Sequence, residues 1–340
     1  MTQAGRAYLG AIHLLKGRLT GRHTFFMPHK PPLNVLLASP RGFCAGVDRA
    51  IRVVEEALKR HQTPVFVRHE IVHNRRVVET LENQGAVFVE ELTEVPEGAP
   101  VVFSAHGVPK IVPEEAQRRG LEYLDATCPL VSKVHREAER HHTQARRHLL
   151  MIGHAGHPEV IGTMGQLPPG AMTLVQTPEE ARTVVPPQTE RLAFITQTTL
   201  SVDDAAEIVA ILRQRFPAIQ GPRKEDICYA TTNRQAAVKA IASDCDLVVV
   251  IGSPNSSNSL RLREVAERAG TRAVLLPTVA TLDWTLLAGV HTLGITAGAS
   301  APEDLVQELL AELAACYELD VQERRVTRED VAFKLPAPLG

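Results

Sequence analysis

The chain has 340 residues, 44% of them apolar and 22% charged, with a formal net charge of −2. That is the balance of a soluble globular protein, with length for two or three domains. The near-neutral charge gives no global basic field for nucleic acid or an anionic membrane surface. No apolar run approaches the roughly 18 residues of a membrane span.

Residues 1–32 stand apart. They carry Arg6, Lys16, Arg18, Arg22 and Lys30 and no acid. An organelle transit peptide shares that bias but is also serine-rich, and this segment has no serine. It reads as a disordered basic extension, or as an over-extended start with Met27 nearer the beginning. The expected location is the cytoplasm, an organelle remaining open only through a transit peptide.

From Pro32 onward, short apolar runs alternate with helical patterns. The runs are Val35–Ala38, Val65–Val67, Val87–Val89, Val101–Phe103, Leu149–Ile152, Leu192–Ile195, Leu247–Ile251, Ala273–Leu276 and Leu293–Thr296. Most are continuous rather than alternating, as in strands covered on both faces. Repeated βα units and parallel sheets follow. So many runs over this length fit small α/β lobes better than one wide sheet. The expected division is an extension at 1–32, lobes at 33–128, 129–225 and 226–318, and a tail at 319–340 that packs back on the core.

Five cysteines occur, an odd number in a long chain with no visible secretory signal. Ligand or catalytic thiols in a reducing cytosol are expected rather than disulfides. Cys44 lies in Arg41-Gly42-Phe43-Cys44-Ala45-Gly46, a glycine-bearing loop between an apolar run and a helix. Helical spacing there runs past Asp48, with Ala50, Val53 and Ala57 on one row. A helix N-terminus favours thiolate, although a lone cysteine can equally be a small buried hydrophobe. Cys128 precedes Pro129, a good first helical residue. Cys228 precedes Thr231, Thr232 and Asn233, which read as helix caps. The three loops recur at intervals of 84 and 100 residues, so three lobes could each offer one thiol to a centre. Cys245, before a buried strand, and Cys316, in a helical run, read as packing residues.

Polar loops follow the strands: Ser104–Pro109, Gly153–Val160, Thr196–Ser201, Gly252–Ser259 and Thr296–Pro302. Open α/β sheets bind ligands beyond the carboxyl ends of their strands, so these loops are expected to share a site. They supply His106, His154, His157, Glu159, Thr198, Thr199, Ser256, Ser257, Asn258 and Ser300. Hydroxyls, amides and helix N-termini make an anion pocket, and histidines add charge or donate protons. Neither GxxxxGK[ST] nor GxGxxG is present, so the pattern indicates a small phosphorylated molecule rather than a nucleotide. Glu159, beside such a pocket, is a candidate general acid. No CxxC occurs, which excludes a zinc ribbon. A [4Fe–4S] cluster takes four cysteines; three would leave one iron open to a substrate oxygen.

The strings PRGFCAGV, VHN (Val72–Asn74), SAHGV, DATCPLV, GHPEV with GTMGQ, TQTTLS, ICYATTNRQ, NSSNS and ITAGASAPE closely resemble the 4-hydroxy-3-methylbut-2-enyl diphosphate reductase family. The likeness runs from about Asn34 to Phe333 and includes a tail like the family's C-terminus. It implies three α/β lobes in a cloverleaf around a [4Fe–4S] cluster, one per chain, on Cys44, Cys128 and Cys228, with one iron lacking a protein ligand. It implies a substrate diphosphate among His73, His106, His157, Ser256, Ser257, Asn258 and Ser300, with Thr199 also against the substrate. Glu159 and Thr198 match the proton-delivering pair. The implied reaction is reductive dehydroxylation to isopentenyl and dimethylallyl diphosphate, with ferredoxin or flavodoxin as electron donor. Two other readings stand beside it: a hydro-lyase that uses a three-cysteine cluster without net redox, and a non-enzymatic cluster-bearing sensor.

Overall fold

The computed structural model describes residues 30–61, 64–336 and Leu339. The expected disordered extension falls on residues that, up to position 29, lie outside the described set. The described strands are β1 (Pro32–Ser39), β2 (Val65–Arg68), β3 (Ala86–Val89), β4 (Val101–Phe103), β5 (Tyr123–Asp125), β6 (His148–Ile152), β7 (Met172–Val175), β8 (Leu192–Thr196), β9 (Leu247–Ile251), β10 (Arg272–Leu276), β11 (Thr292–Ala297) and β12 (Glu318–Arg325). The helices are α1 (Ala45–Arg60), α2 (Arg75–Asn83), α3 (Ile111–Arg118), α4 (Pro129–Glu139), α5 (Pro158–Met164), α6 (Pro178–Thr183), α7 (Val202–Arg215), α8 (Tyr229–Ala242), α9 (Ser257–Arg268) and α10 (Glu303–Cys316).

These strands make three sheets, ordered β3-β2-β4-β5, β7-β6-β8 and β10-β9-β11-β1-β12. Every pairing within them is parallel. Each sheet carries helices, which gives the three α/β lobes expected from the alternation of runs. β6, β8 and β9 are buried at every position, the reason their sequences are continuously apolar.

At one place the sheets depart from the order of the chain. β1, expected in the first lobe, lies between β11 and β12 in the third sheet, with Asn34 opposite Thr292 and Asp320. Its run Val35–Ala38 is buried on both faces and needs a strand on either side. Sequence contiguity does not specify which ones. The chain then crosses into the first lobe through α1. Ala50, Val53, Val54 and Ala57 of α1 join Val65, Val67 and Ile71 in one apolar core.

The tail packs back through a strand and three anchors. β12 pairs with β1 along its whole length. Beyond it, Glu329 meets the guanidinium of Arg234 at 3.0 Å. The Lys334 carbonyl accepts from Arg49 Nε at 2.8 Å, and Leu335 and Leu339 rest on the first-lobe core. Arg234 is fully buried, whereas the exposed pair Arg76 and Glu308 is 42% accessible on each side. Removing one partner of a buried pair typically costs about 3–5 kcal/mol, against about 0–1 kcal/mol for an exposed one. Chemical denaturation is therefore expected to show Glu329→Ala near the lower end of the buried range and Glu308→Ala below about 1 kcal/mol.

Candidate active site

The three cysteines occupy equivalent positions. Cys44, Cys128 and Cys228 are the residues immediately before α1, α4 and α8. Each thiol therefore stands at a helix N-terminus, where amides point outward and the dipole end is positive. α1 starts directly after Cys44, earlier than its apolar spacing suggested. At the third helix the expected caps Thr231, Thr232 and Asn233 prove to lie inside α8. Cys228 is the cap: its sulfur accepts from Thr231 N at 3.4 Å, with the Thr231 hydroxyl 3.2 Å away.

Local backbone explains how the thiols converge. Gly42 has φ +68°, a left-handed conformation that suits glycine. It turns the chain out of β1 so that Gly42 N bonds Ala297 O and Cys44 N bonds Ala299 O. Gly46 leaves room: a Cβ there would lie 2.6 Å from Cys128 Sγ and 3.8 Å from Cys44 Sγ. Arg234 Nη2 donates to Gly42 O and Phe43 O at 2.7 and 3.1 Å. Arg49 Nη1 donates to Thr127 O at 3.1 Å, and Ala45 N donates to the Tyr229 hydroxyl at 3.2 Å. Each cysteine loop is thus tied to a helix that begins at another cysteine.

One cavity is lined by all three cysteines together with His73, His106, His157, Glu159, Thr198, Thr199, Ser256, Ser257, Asn258 and Ser300. His154, from the same loop as His157, lines a different cavity. Cys245 is half-buried beside Gly294, and Cys316 is exposed.

Glu159 is the second residue of α5 and is 2% exposed. Its Oε1 accepts from Thr198 N at 2.6 Å and its Oε2 from the Thr198 hydroxyl at 2.9 Å. Burial, reinforced by the Asp226 carboxylate, pushes its pKa up to about 7 against those two hydrogen bonds. A carboxyl so tuned exchanges its proton near neutral pH, as a general acid must.

Around Glu159 the cavity is lined by imidazoles, hydroxyls and an amide, groups that can hold an anion. The rings of His73 and His106 stack with centroids 4.1 Å apart, and His157 meets both edge-on. His157 Nδ1 accepts from Glu159 N at 3.1 Å, so the neutral ring carries its proton on Nε2. Burial and the neighbouring His73 hold its pKa down to about 3. Burial also lowers His106 well below the ordinary value. His73 Nδ1 contacts the Glu70 carboxylate at 2.9 Å, leaving Nε2 buried without a partner, as is Asn258 Nδ2. Unpaired buried polar groups cost stability and mark a place where a ligand can complete the bonding. The Ser256 and Ser300 hydroxyls lie 3.4 Å apart beside them.

The thiols suit a cluster better than a single ion. Among the described residues no three His, Cys, Asp or Glu close on one metal ion. A four-iron cluster takes one thiolate per iron, which spreads its ligands. Burial and then the nearby Cys44 push Cys128 up to about 12 and Cys228 up to about 11. A bound metal deprotonates such thiols outright, so the donor set fits an iron–sulfur group.

Residues 35–314 match the model of the LytB protein family. The chain belongs to the LytB protein family. It is 72% identical over 312 residues to the 4-hydroxy-3-methylbut-2-enyl diphosphate reductase of Gluconobacter oxydans 621H, covering 91% of this chain and 93% of that protein. To the reductase of the same name from Phenylobacterium zucineum HLK1 it is 63% identical over 314 residues, 92% and 100% of the two chains. The solved E-1-hydroxy-2-methyl-but-2-enyl-4-diphosphate reductase of Plasmodium falciparum superposes with a TM-score of 0.85 at 39% identity, covering 92% and 97%. A solved (E)-4-hydroxy-3-methyl-but-2-enyl diphosphate reductase, described as the terminal enzyme of the non-mevalonate pathway, gives a TM-score of 0.58 at 32% identity, covering 83% and 99%.

Sequence reasoning passed over several groups that organise this cavity. Gln197, fully buried, accepts from His154 N at 3.0 Å and donates to the Thr199 hydroxyl at 2.9 Å. Asp226 accepts from Thr196 N at 2.9 Å and from Lys133 at 2.5 Å. Their only signal was the place of Gln197 inside TQTTLS and the nearness of Asp226 to Cys228. Two glycines also matter. A Cβ at Gly162 would lie 2.9 Å from Gly107 O, so the backbone beside His106 fits against the helix of Glu159 only without a side chain. Gly162→Ala is expected to part these walls. A displacement near 1 Å can cost on the order of 100-fold, and calorimetric titration with inorganic pyrophosphate should show the weakened binding.

Proposed function

We propose that this chain converts 4-hydroxy-3-methylbut-2-enyl diphosphate into isopentenyl and dimethylallyl diphosphate. The balance is substrate, two electrons and two protons in; either product and one water out. What carries the reading is the meeting, in one cavity, of three thiols at helix N-termini, a buried carboxyl tuned near neutrality, and buried polar groups without partners. High identity to reductases over nearly the whole chain supports it.

Cys44, Cys128 and Cys228 would hold a [4Fe–4S] cluster with one iron free of protein ligands, which when bound supplies electrons and a Lewis acid for the substrate hydroxyl. His73, His106, His157, Ser256, Ser257, Asn258 and Ser300 take the diphosphate. Their hold on charge remote from the reacting carbon fixes its place. Thr199 faces the substrate with a hydroxyl whose oxygen already accepts from Gln197, so its own proton is free to donate. Glu159 carries a proton at neutral pH and, with Thr198, delivers it to the departing oxygen. Hydroxide is a poor leaving group and water a good one. A ferredoxin or flavodoxin supplies the electrons, and a reducing cytoplasm suits thiols that must stay reduced.

The test is anaerobic turnover with a reduced dye as donor, beside iron and sulfide counts. Turnover that needs no reductant would identify a hydro-lyase, and a cluster-loaded protein inert with the dye would refute the reductase reading. Within it, Ser at Cys44, Cys128 or Cys228 should each lower the iron count, whereas Cys245→Ser should leave it unchanged. For Glu159 the active form is the protonated one, so turnover should fall as pH rises through about 7. Glu159→Gln should lose about 10²–10⁴-fold in rate, abolish that pH dependence and retain its iron.

A further inference from the structure

The chain is near neutral overall, yet one surface is not. Residues 133–148 hold Lys133, Arg136, Arg140, Arg146 and Arg147 against Glu137 and Glu139. Arg223 and Lys224 join them from the segment that leads into Cys228. Lys133, Arg136, Glu137, Arg140, Arg223 and Lys224 line one groove. Its only acid, Glu137, is buried and already bridges Lys133 and Arg140. Arg136, Arg223 and Lys224 are exposed, and among the described residues their side chains enter no salt bridge.

This groove is joined to two of the thiol loops. Lys133 lies on α4, whose cap is Cys128. At about 1.5 Å of rise per residue it stands roughly 8 Å along the helix from that thiol's backbone. Its ammonium binds the carbonyls of Lys224 and Glu225 at 2.5 and 3.3 Å and Asp226 at 2.5 Å, two residues before Cys228. Lys133, Arg136 and Arg140 follow the three- and four-residue spacing of one helix face. Arg136, Arg223 and Lys224, cations without an ion-pair partner among the described residues, line one groove, repel each other and are steadied by an anionic surface. Electron-transfer encounters use small, electrostatically steered interfaces of this kind.

We propose that this groove docks a small acidic electron-carrier protein, delivering electrons on the side of the Cys128 and Cys228 loops. This rests on the reductase reading. A one-electron carrier would dock twice per turnover, its oxidation balancing the two electrons the substrate consumes.

The experiment uses the cluster-loaded full chain and an acidic [2Fe–2S] ferredoxin, comparing wild type with Arg136→Glu/Lys224→Glu. Both side chains are exposed and unpaired, so the variant should fold. Expected are at least a tenfold rise in Kd for oxidised ferredoxin at low salt and at least a tenfold fall in kcat/KM for reduced ferredoxin. Dye-driven turnover should stay within twofold, and the wild-type salt dependence should flatten. Unchanged Kd and kcat/KM for ferredoxin overturn the docking site, as does an equal loss with the dye, which would place the charges in the chemistry instead. A wild-type chain inert with the dye overturns the reductase reading and this proposal with it.

Discussion

The arrangement depends on a guanidinium that water cannot reach. Arg234 is wholly buried in α8, six residues after Cys228. Stripped of water, it must find a partner for each N–H. It finds Gly42 O, Phe43 O, Ala230 O and the Glu329 carboxylate. Those partners come from the first cysteine loop, its own helix and the C-terminal tail. The planar fork of arginine serves several acceptors at once in fixed directions, which a lysine would not. The loop that presents Cys44 is therefore positioned by the helix that begins at Cys228. Arg49 repeats the device on a smaller scale, joining α1 to the carbonyl just before Cys128 and to Lys334 in the tail.

Burial sets the chemistry of the cavity as firmly as its shape. Desolvation disfavours whichever form is charged. Here it raises Glu159, Cys128 and Cys228 and lowers His106 and His157. These groups are thus biased toward their uncharged forms. The helix N-termini at Cys128 and Cys228 oppose this and do not outweigh it, a macrodipole end being worth only about 0.3–2 kcal/mol. A metal with full positive charges inverts the balance.

Much of this was legible in the sequence, because two codes were written plainly. Nine apolar runs became nine strands, since most are buried and parallel strands so covered are continuously apolar. The three strands that escaped notice lack that mark. β5 is three residues long and ends in Asp125; β7 is only half-buried at Met172-Thr173-Leu174-Val175; and β12 is exposed along most of its length. β12 exists because β1 offers an edge, not because of its own side chains. Likewise, every residue picked from the polar loops except His154 lines one cavity. What stayed hidden was pairing: that β1 joins the third sheet, that Gln197 links His154 to Thr199, and that Arg234 reaches Gly42. Such partners lie far apart in the chain, and composition is silent about distance.

The glycines show why so little latitude remains. Gly46 sits against Cys128 Sγ, Gly162 against the Gly107 carbonyl, and Gly252 and Gly298 both against the Ser259 hydroxyl, where an added Cβ would lie 2.1 Å away. Ser259 in turn donates to Ser256 at 3.1 Å, one of the hydroxyls on the anion wall. At each of these places two segments meet with no space for a methyl group. Polar groups drawn from three lobes and an acid on one of them can face one centre only if the backbones that carry them touch. A side chain between them would hold the lobes apart by about the width of an atom. That distance exceeds the tolerance of a hydrogen bond, whose strength falls steeply outside 2.7–3.2 Å. The glycines therefore act through their absence of volume, and the polar residues beside them can reach a shared ligand because of it.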